Sequence, residues 1–256
     1  MSNSGQDRFL NTVRQALGRD TPDRTGGKGV AEASRTPAGL PPRRNHEQKL
    51  ALVDILLEAA RDLKIKAQTC RDLEAAVQAI VSIVKTTVLA DQSGYTVAAW
   101  NHPLINALNL EPRLQELGCS FFRTELPPGL SPGDAHKRKA ELRERMIASG
   151  IGLTSADYCL ADTATLVMLP SADQARAVSL VPSTHIALVH VDQLLLDLQE
   201  LYAELKKTSG EDPRGLTQPY MNLISGPSKT ADIEMSMVYG VHGPRTLHLL
   251  ILTEKR

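Results

Sequence analysis

The feature that most constrains this chain is an alternation. Short apolar runs, each long enough for a strand, keep returning between stretches whose apolar residues fall at helical spacing. Leu50, Val53, Leu56 and Ala60 mark a first helix ending near Leu63, and Ile65 to Cys70 follows as a strand. Leu73, Ala76, Val77, Ile80, Val81 and Val84 mark a second helix, with strands predicted at Thr87 to Ala90 and at Tyr95 to Trp100. Leu104 to Leu117 reads as a loop and a helix with Pro112 near its start, then Ser120 to Arg123 as a strand. Asp134 to Ala148 is a charged helix, and His185 to Val189 is an apolar strand. Val191 to Lys207 reads as a long amphipathic helix carrying Leu194, Leu198, Leu201 and Leu205. Such alternation predicts an α/β fold: an open, mostly parallel sheet with flanking helices. Tyr158 to Ala161 and Thr165 to Pro170 read as two strands around a tight polar turn, a hairpin that makes the sheet mixed.

Two regions make up the chain. Residues 1–45 hold a short amphipathic helix, with Phe9, Leu10, Val13 and Leu17 on one face, and then a linker rich in Gly, Pro, Thr, Arg and Ser. The linker ends in Arg43-Arg44, read as solvated. Residues 46–256 form the α/β domain. Lys plus Arg equals Asp plus Glu at 29 each, so no broad basic field marks a nucleic-acid binder. No apolar run approaches a membrane span and the N-terminus lacks a secretory core, which predicts a cytoplasmic protein. Cys70, Cys119 and Cys159 are far apart and form no CxxC, so buried thiols are expected and no cofactor or metal in this chain.

The densest chemistry lies in Ser225-Gly226-Pro227-Ser228-Lys229-Thr230-Ala231-Asp232-Ile233-Glu234, ahead of Gly240-Val241-His242-Gly243-Pro244. An apolar lead, a Gly-Pro turn and a helix start would put the positive end of a helix dipole at the sheet's carboxyl edge, where open α/β sheets bind ligands. Ser228 and Thr230 compete as N-caps, and Lys229 adds counter-charge for an anion. An ordinary capped helix accounts for the same residues. On a helix, Asp232 and Glu234 would point about 200° apart, so at most one lines a pocket. Asp162, Thr163 and Thr165 crowd the hairpin turn, near Thr154, Ser155 and Asp157; they suit either a polar ligand or the turn itself. His185 at a strand start and His242 in a turn fit acid/base work or a purely structural role, and no spacing supports a metal site.

Together these segments are similar to the LUD-domain family, in particular the lactate utilization protein C group. The resemblance rests on Gly226 to Glu234 with Gly240 to Pro244, on Gly152-Leu153-Thr154-Ser155-Ala156-Asp157, on Ala161-Asp162-Thr163-Ala164-Thr165-Leu166, and on Pro182 to Val189. Two positions depart from the family pattern: Asp162 stands where Glu is usual and Ala164 where Gly is usual. The resemblance implies a sheet similar to the ribose-5-phosphate isomerase and CoA-transferase group. It implies an accessory or substrate-handling role in oxidising L-lactate to pyruvate, beside partner subunits that carry the Fe–S clusters. It points to Asp162, Glu234 and His185 as catalytic candidates. Thr163, Thr165, Gly226, Pro227, Ser228, Lys229, Thr230, Asp232 and His242 become candidates for binding a small organic acid or phosphate-like anion. Two other readings stay open: an independent enzyme on a small phosphorylated or CoA-linked acid, and a non-catalytic anion or metabolite binder.

Overall fold

A computed structural model describes residues 44–90, 96–127, 129–169, 171, 174–208, 221–231 and 237–255. The helix expected over Asp7 to Leu17, the linker up to residue 43, and both Asp232 and Glu234 lie outside the described residues. In chain order the elements are α1 (His46–Asp62), β1 (Lys66–Cys70), α2 (Leu73–Ala90), β2 (Thr96–Ala99), α3 (Pro103–Asn106), α4 (Glu111–Gln115), β3 (Ser120–Arg123) and α5 (Pro132–Ile147). Then come β4 (Ile151–Thr154), β5 (Tyr158–Leu160), β6 (Thr165–Met168), a 3-10 turn (Arg176–Ser179), β7 (Thr184–His190), a second 3-10 turn (Val191–Gln193), β8 (Leu194–Leu195), α6 (Leu198–Thr208), β9 (Asn222–Ile224), β10 (Lys229–Ala231), β11 (Met237–Tyr239) and β12 (Thr246–Leu252).

The main sheet has the order β1-β12-β7-β4-β2-β3, and every pairing in it is parallel. Parallel sheets survive only when both faces are covered, and the strands show this: every residue of β4 and β7 is buried. On one face Leu52, Leu56 and Ala60 of α1 pack with Ala98, Ala187, Val189, Leu249 and Ile251. On the other, Ala76, Ile80 and Val84 of α2 pack with Val97, Ala99, Ile186, Leu188 and Leu250. Each buried Leu or Ile contributes about 1.5–3 kcal/mol, so these two layers fix the strand order. Helix α1 starts on a capping box: Asn45 accepts from the Gln48 N–H while Gln48 returns a bond to the Asn45 N–H.

The mostly parallel α/β arrangement is as expected, but the antiparallel pairing lies elsewhere. The β5–β6 hairpin does not join the main sheet. It forms a second sheet, β8-β5-β6-β9, in which β5–β6 and β6–β9 are antiparallel. Leu166 and Met168 face the cluster containing α1, while Leu160, Val167 and Leu195 face Leu201 of α6. Other local expectations are corrected. Thr87 to Ala90 is the last turn of α2; Thr86 and Thr87 give their hydroxyl protons to the Ser82 and Ile83 carbonyls, which seats them in a helix. Val191 to Lys207 is not one helix, because Leu194 and Leu195 pair with Cys159 and Leu160, and α6 starts only after Asp197 accepts from the Gln199 and Glu200 N–H groups. Arg44 is not solvated: its guanidinium lies 2.7 Å from Glu200, whose other carboxylate oxygen accepts from the Leu196 N–H. No helix among the described residues is long and apolar enough to cross a membrane.

Candidate functional site

The hairpin turn between β5 and β6 carries a continuous chain of polar side chains. Thr163 Oγ1 donates to Asp162 Oδ1 at 3.0 Å, and Thr165 Oγ1 donates to Thr163 Oγ1 at 3.0 Å. Thr165 Oγ1 also lies 2.7 Å from Ser225 Oγ. A hydroxyl has one proton, so with Thr165 donating to Thr163 the Ser225 hydroxyl must donate to Thr165. The Thr163 carbonyl, 3.2 Å from Thr165 Oγ1, shares the Thr165 proton, and the Thr163 hydroxyl proton points to Asp162. Asp162 and Thr163 are exposed, whereas Thr165 and Ala164 are buried. The exposed end is therefore a carboxylate able to accept a hydrogen bond. Ala164 sits at φ +44°, in the left-handed region that costs an L-residue about 1–2 kcal/mol. Ser225→Ala is expected to cost about 1 kcal/mol in urea denaturation, with the same slope against denaturant; an unchanged midpoint would show that the chain carries no stability.

The second group of sequence candidates is a clasp, and it is not a helix. From Lys229 the chain forms β10, which pairs antiparallel with β11 in the register Lys229↔Tyr239, Thr230↔Val238, Ala231↔Met237. The helix expected to start here is a strand over Lys229–Ala231, while Asp232 and Glu234 lie outside the described residues. The Ser228 N–H donates to Pro244 O at 2.8 Å, and the Gly240 N–H donates to Ser228 O at 3.0 Å. Those bonds use the backbone of the expected helix start to close a loop. Gly243 lies so close that a Cβ there would meet Ser228 Cβ at 3.3 Å. Gly226, at φ +116°, passes close to Leu63: a Cβ would be 3.2 Å from the Leu63 carbonyl oxygen, which would have to give by a few tenths of an ångström. Pro227 is buried, Thr230 half-buried, and Lys229 donates to Leu63 O at 3.3 Å. Lys64 reaches back to Tyr239, 2.8 Å from its hydroxyl and 5.0 Å from its ring centroid. The Arg245 and Thr246 N–H groups both donate to Ser183 O. The clasp thus sits where β7 and β12 begin, at the amino edge of the sheet and not the carboxyl edge. His242 is exposed on it.

His185 belongs to neither group. It is 1% exposed, and its Nε2 lies 2.8 Å from Thr154 Oγ1 across the β4–β7 pairing. Burial pushes its pKa down to about 3, so the ring stays neutral. Ser155 is buried and Asp157 accepts from the Leu169 N–H, so the Thr154 to Asp157 segment serves the packing between the sheets. The structure therefore joins Asp162, Thr163, Thr165 and Ser225, ties Ser228 to Gly240 and Pro244, and sets His185 inside the sheet.

One constellation was missed. A cavity of about 310 Å³ opens at the amino ends of β1, β12 and β7 under α2, with Lys66, Thr184, Arg245, Thr246 and His248 in its wall. Arg245 directly follows the Gly240 to Pro244 segment, and that adjacency was a usable signal. Lys66 and His248 become neighbours only through the β1–β12 register, which no local pattern reveals. Metal or cluster ligation does not fit the described residues. Among the described residues no group of three or more His, Cys, Asp or Glu could hold an ion. The thiols are buried apart, Cys70 and Cys119 on one face of the sheet and Cys159 on the other, where burial pushes Cys159 up to about 12.

A parallel six-stranded sheet with an appended mixed sheet and a clasp at its amino edge makes this an α/β protein. The LUD domain model matches residues 53–252, and the chain belongs to the LUD-domain family. It is 30% identical to the lactate utilization protein C of Halalkalibacterium halodurans, over 93% of this chain and 94% of that protein. It is 28% identical to the lactate utilization protein C of Bacillus subtilis, over 98% of this chain and 97% of that protein. A crystal structure of a DUF162 family protein from Deinococcus radiodurans aligns at 19% identity with a TM-score of 0.49, covering 80% of this chain and 98% of that one.

Proposed function

We propose that this chain serves lactate utilization, as an accessory or substrate-handling subunit in the oxidation of L-lactate to pyruvate. The observation that carries this reading is the near full-length correspondence with proteins named lactate utilization protein C. Electron transfer is assigned to Fe–S partner subunits, in keeping with thiols that are buried and separated here. Asp162 is the carboxylate offered to the substrate hydroxyl, its lone pairs oriented by the Ser225–Thr165–Thr163 chain. Glu234 and Asp232 remain the carboxylates to test beside it. His185, held against Thr154 inside the sheet, remains a candidate to test through its Gln variant. Gly226, Pro227, Ser228, Lys229, Thr230 and His242 shape and border the ligand surface.

Deleting the gene is expected to abolish growth on L-lactate and leave growth on glucose intact, with wild type restoring it. Asp162→Asn, Glu234→Gln and Asp232→Asn are then supplied singly. The Asp162 variant should restore growth poorly, and the purified complex should retain iron in its partners. Unchanged growth of the deletion strain on lactate would sink the reading; full rescue by all three variants would remove the carboxylate assignments alone.

A further inference from the structure

We propose that the cavity at the amino edge of the sheet binds a small, doubly charged oxyanion of the phosphate type, held between Lys66 and Arg245. It stands apart from the Asp162 turn and does not rest on the lactate reading. At about 310 Å³ the space admits a small metabolite anion. None of the lining residues is acidic, so two cations share one concavity with no carboxylate in its wall. An empty pair of like charges is unfavourable, and a dianion between them removes that cost. Strand register sets the floor: Lys66 lies beside His248, and Thr246 beside Thr184. Burial and Lys66 together bring His248 down to about 4, so near neutral pH its ring offers hydrogen bonding without charge. The Thr184 and Thr246 hydroxyls have no side-chain partner among the described residues, whereas Ser183 gives its proton to Gly150 O.

The clasp itself explains how Arg245 is aimed. Gly240 has φ +81°, and a Cβ on it would lie 2.1 Å from Arg245 Cγ and 3.1 Å from Nε. The arginine stem therefore lies flat across the glycine, and the guanidinium is delivered to the cavity wall. Gly240 is a seat for that side chain. An Arg fork and a Lys point charge converging on one space suit an oxyanion with several acceptor oxygens.

Calorimetric titration of the full chain with inorganic phosphate near pH 7.5 tests the assignment. The expected dissociation constant is near or below about 1 mM. Lys66→Gln and Arg245→Gln should each weaken it about tenfold or more, and Gly240→Ala should weaken it by displacing Arg245. Arg71→Gln, exposed at the opposite edge, should leave it unchanged. Lys66 and Arg245 are both exposed, so their variants keep the core, and a thermal melt of each confirms folding. No phosphate heat in the wild type, or binding untouched by both charge variants, would overturn the proposal. Equal affinity for L-lactate with the same sensitivities would overturn the preference for a dianion.

Discussion

Gly152→Ala is expected to lower stability by at least about 3 kcal/mol, a drop of roughly 6–12 °C in melting temperature for a domain of this size. A Cβ on Gly152 would lie 1.9 Å from Val178 O and 3.0 Å from Val178 C. Both obstacles are backbone, so no rotamer change relieves them. The 3-10 turn Arg176–Ser179 would have to lift off β4, and with it Ala175, whose carbonyl accepts from Trp100 Nε1 at 3.0 Å. Trp100 is among the largest fully buried side chains. Gly133→Ala is the matched control: in the first turn of α5 an added Cβ meets nothing closer than 3.9 Å. Urea denaturation of the pair checks this, and a Gly152→Ala loss within about 0.5 kcal/mol of the control would refute the close contact.

Acid is expected to destabilise the fold through two histidines. His185 titrates near 3 and His248 near 4 when folded, against an ordinary value of 6.5. Below about pH 6.5 the unfolded chain binds a proton that the folded chain refuses. The stability is thus complete above the unfolded value and is lost as pH falls towards the folded values. Each group contributes a slope of about 1.4 kcal/mol per pH unit through that window. Replacing His185 by Gln keeps a polar group facing Thr154 and removes the titration. The variant should therefore lose about 2 kcal/mol less than wild type between pH 6.5 and pH 4.5. Denaturant midpoints across that range decide it; parallel curves would mean that His185 takes up its proton while folded.

The strands and long helices were legible because their signals are local. Leu52, Leu56 and Ala60 recur at helical spacing, and His185 to Val189 is a continuous apolar run suited to a doubly covered strand. The β5–β6 hairpin was legible for the same reason. What failed was decided at long range. Ser228-Lys229-Thr230 carries helix-start chemistry, but Pro244 takes the Ser228 N–H that an N-cap would have organised. Leu194 and Leu195 fit a helix face until β5 supplies a strand edge. The candidate turn was found because Asp162, Thr163 and Thr165 are adjacent, whereas the cavity was missed because Lys66 and His248 meet only after the sheet is assembled.

The position of β12 has a consequence for biosynthesis. This strand, the last of the sheet in chain order, does not lie at an edge but inserts between β1 and β7. Strand β1 has no other partner in the main sheet, and Lys66 meets His248 only across roughly 180 residues of chain. While the ribosome is still adding the middle of the protein, β1 and one side of β7 must wait unpaired, with open strand edges of the sort that chaperones shield. Native assembly of this protein is therefore a late event, completed only when the segment Thr246–Leu252 clears the exit tunnel and slots into the gap.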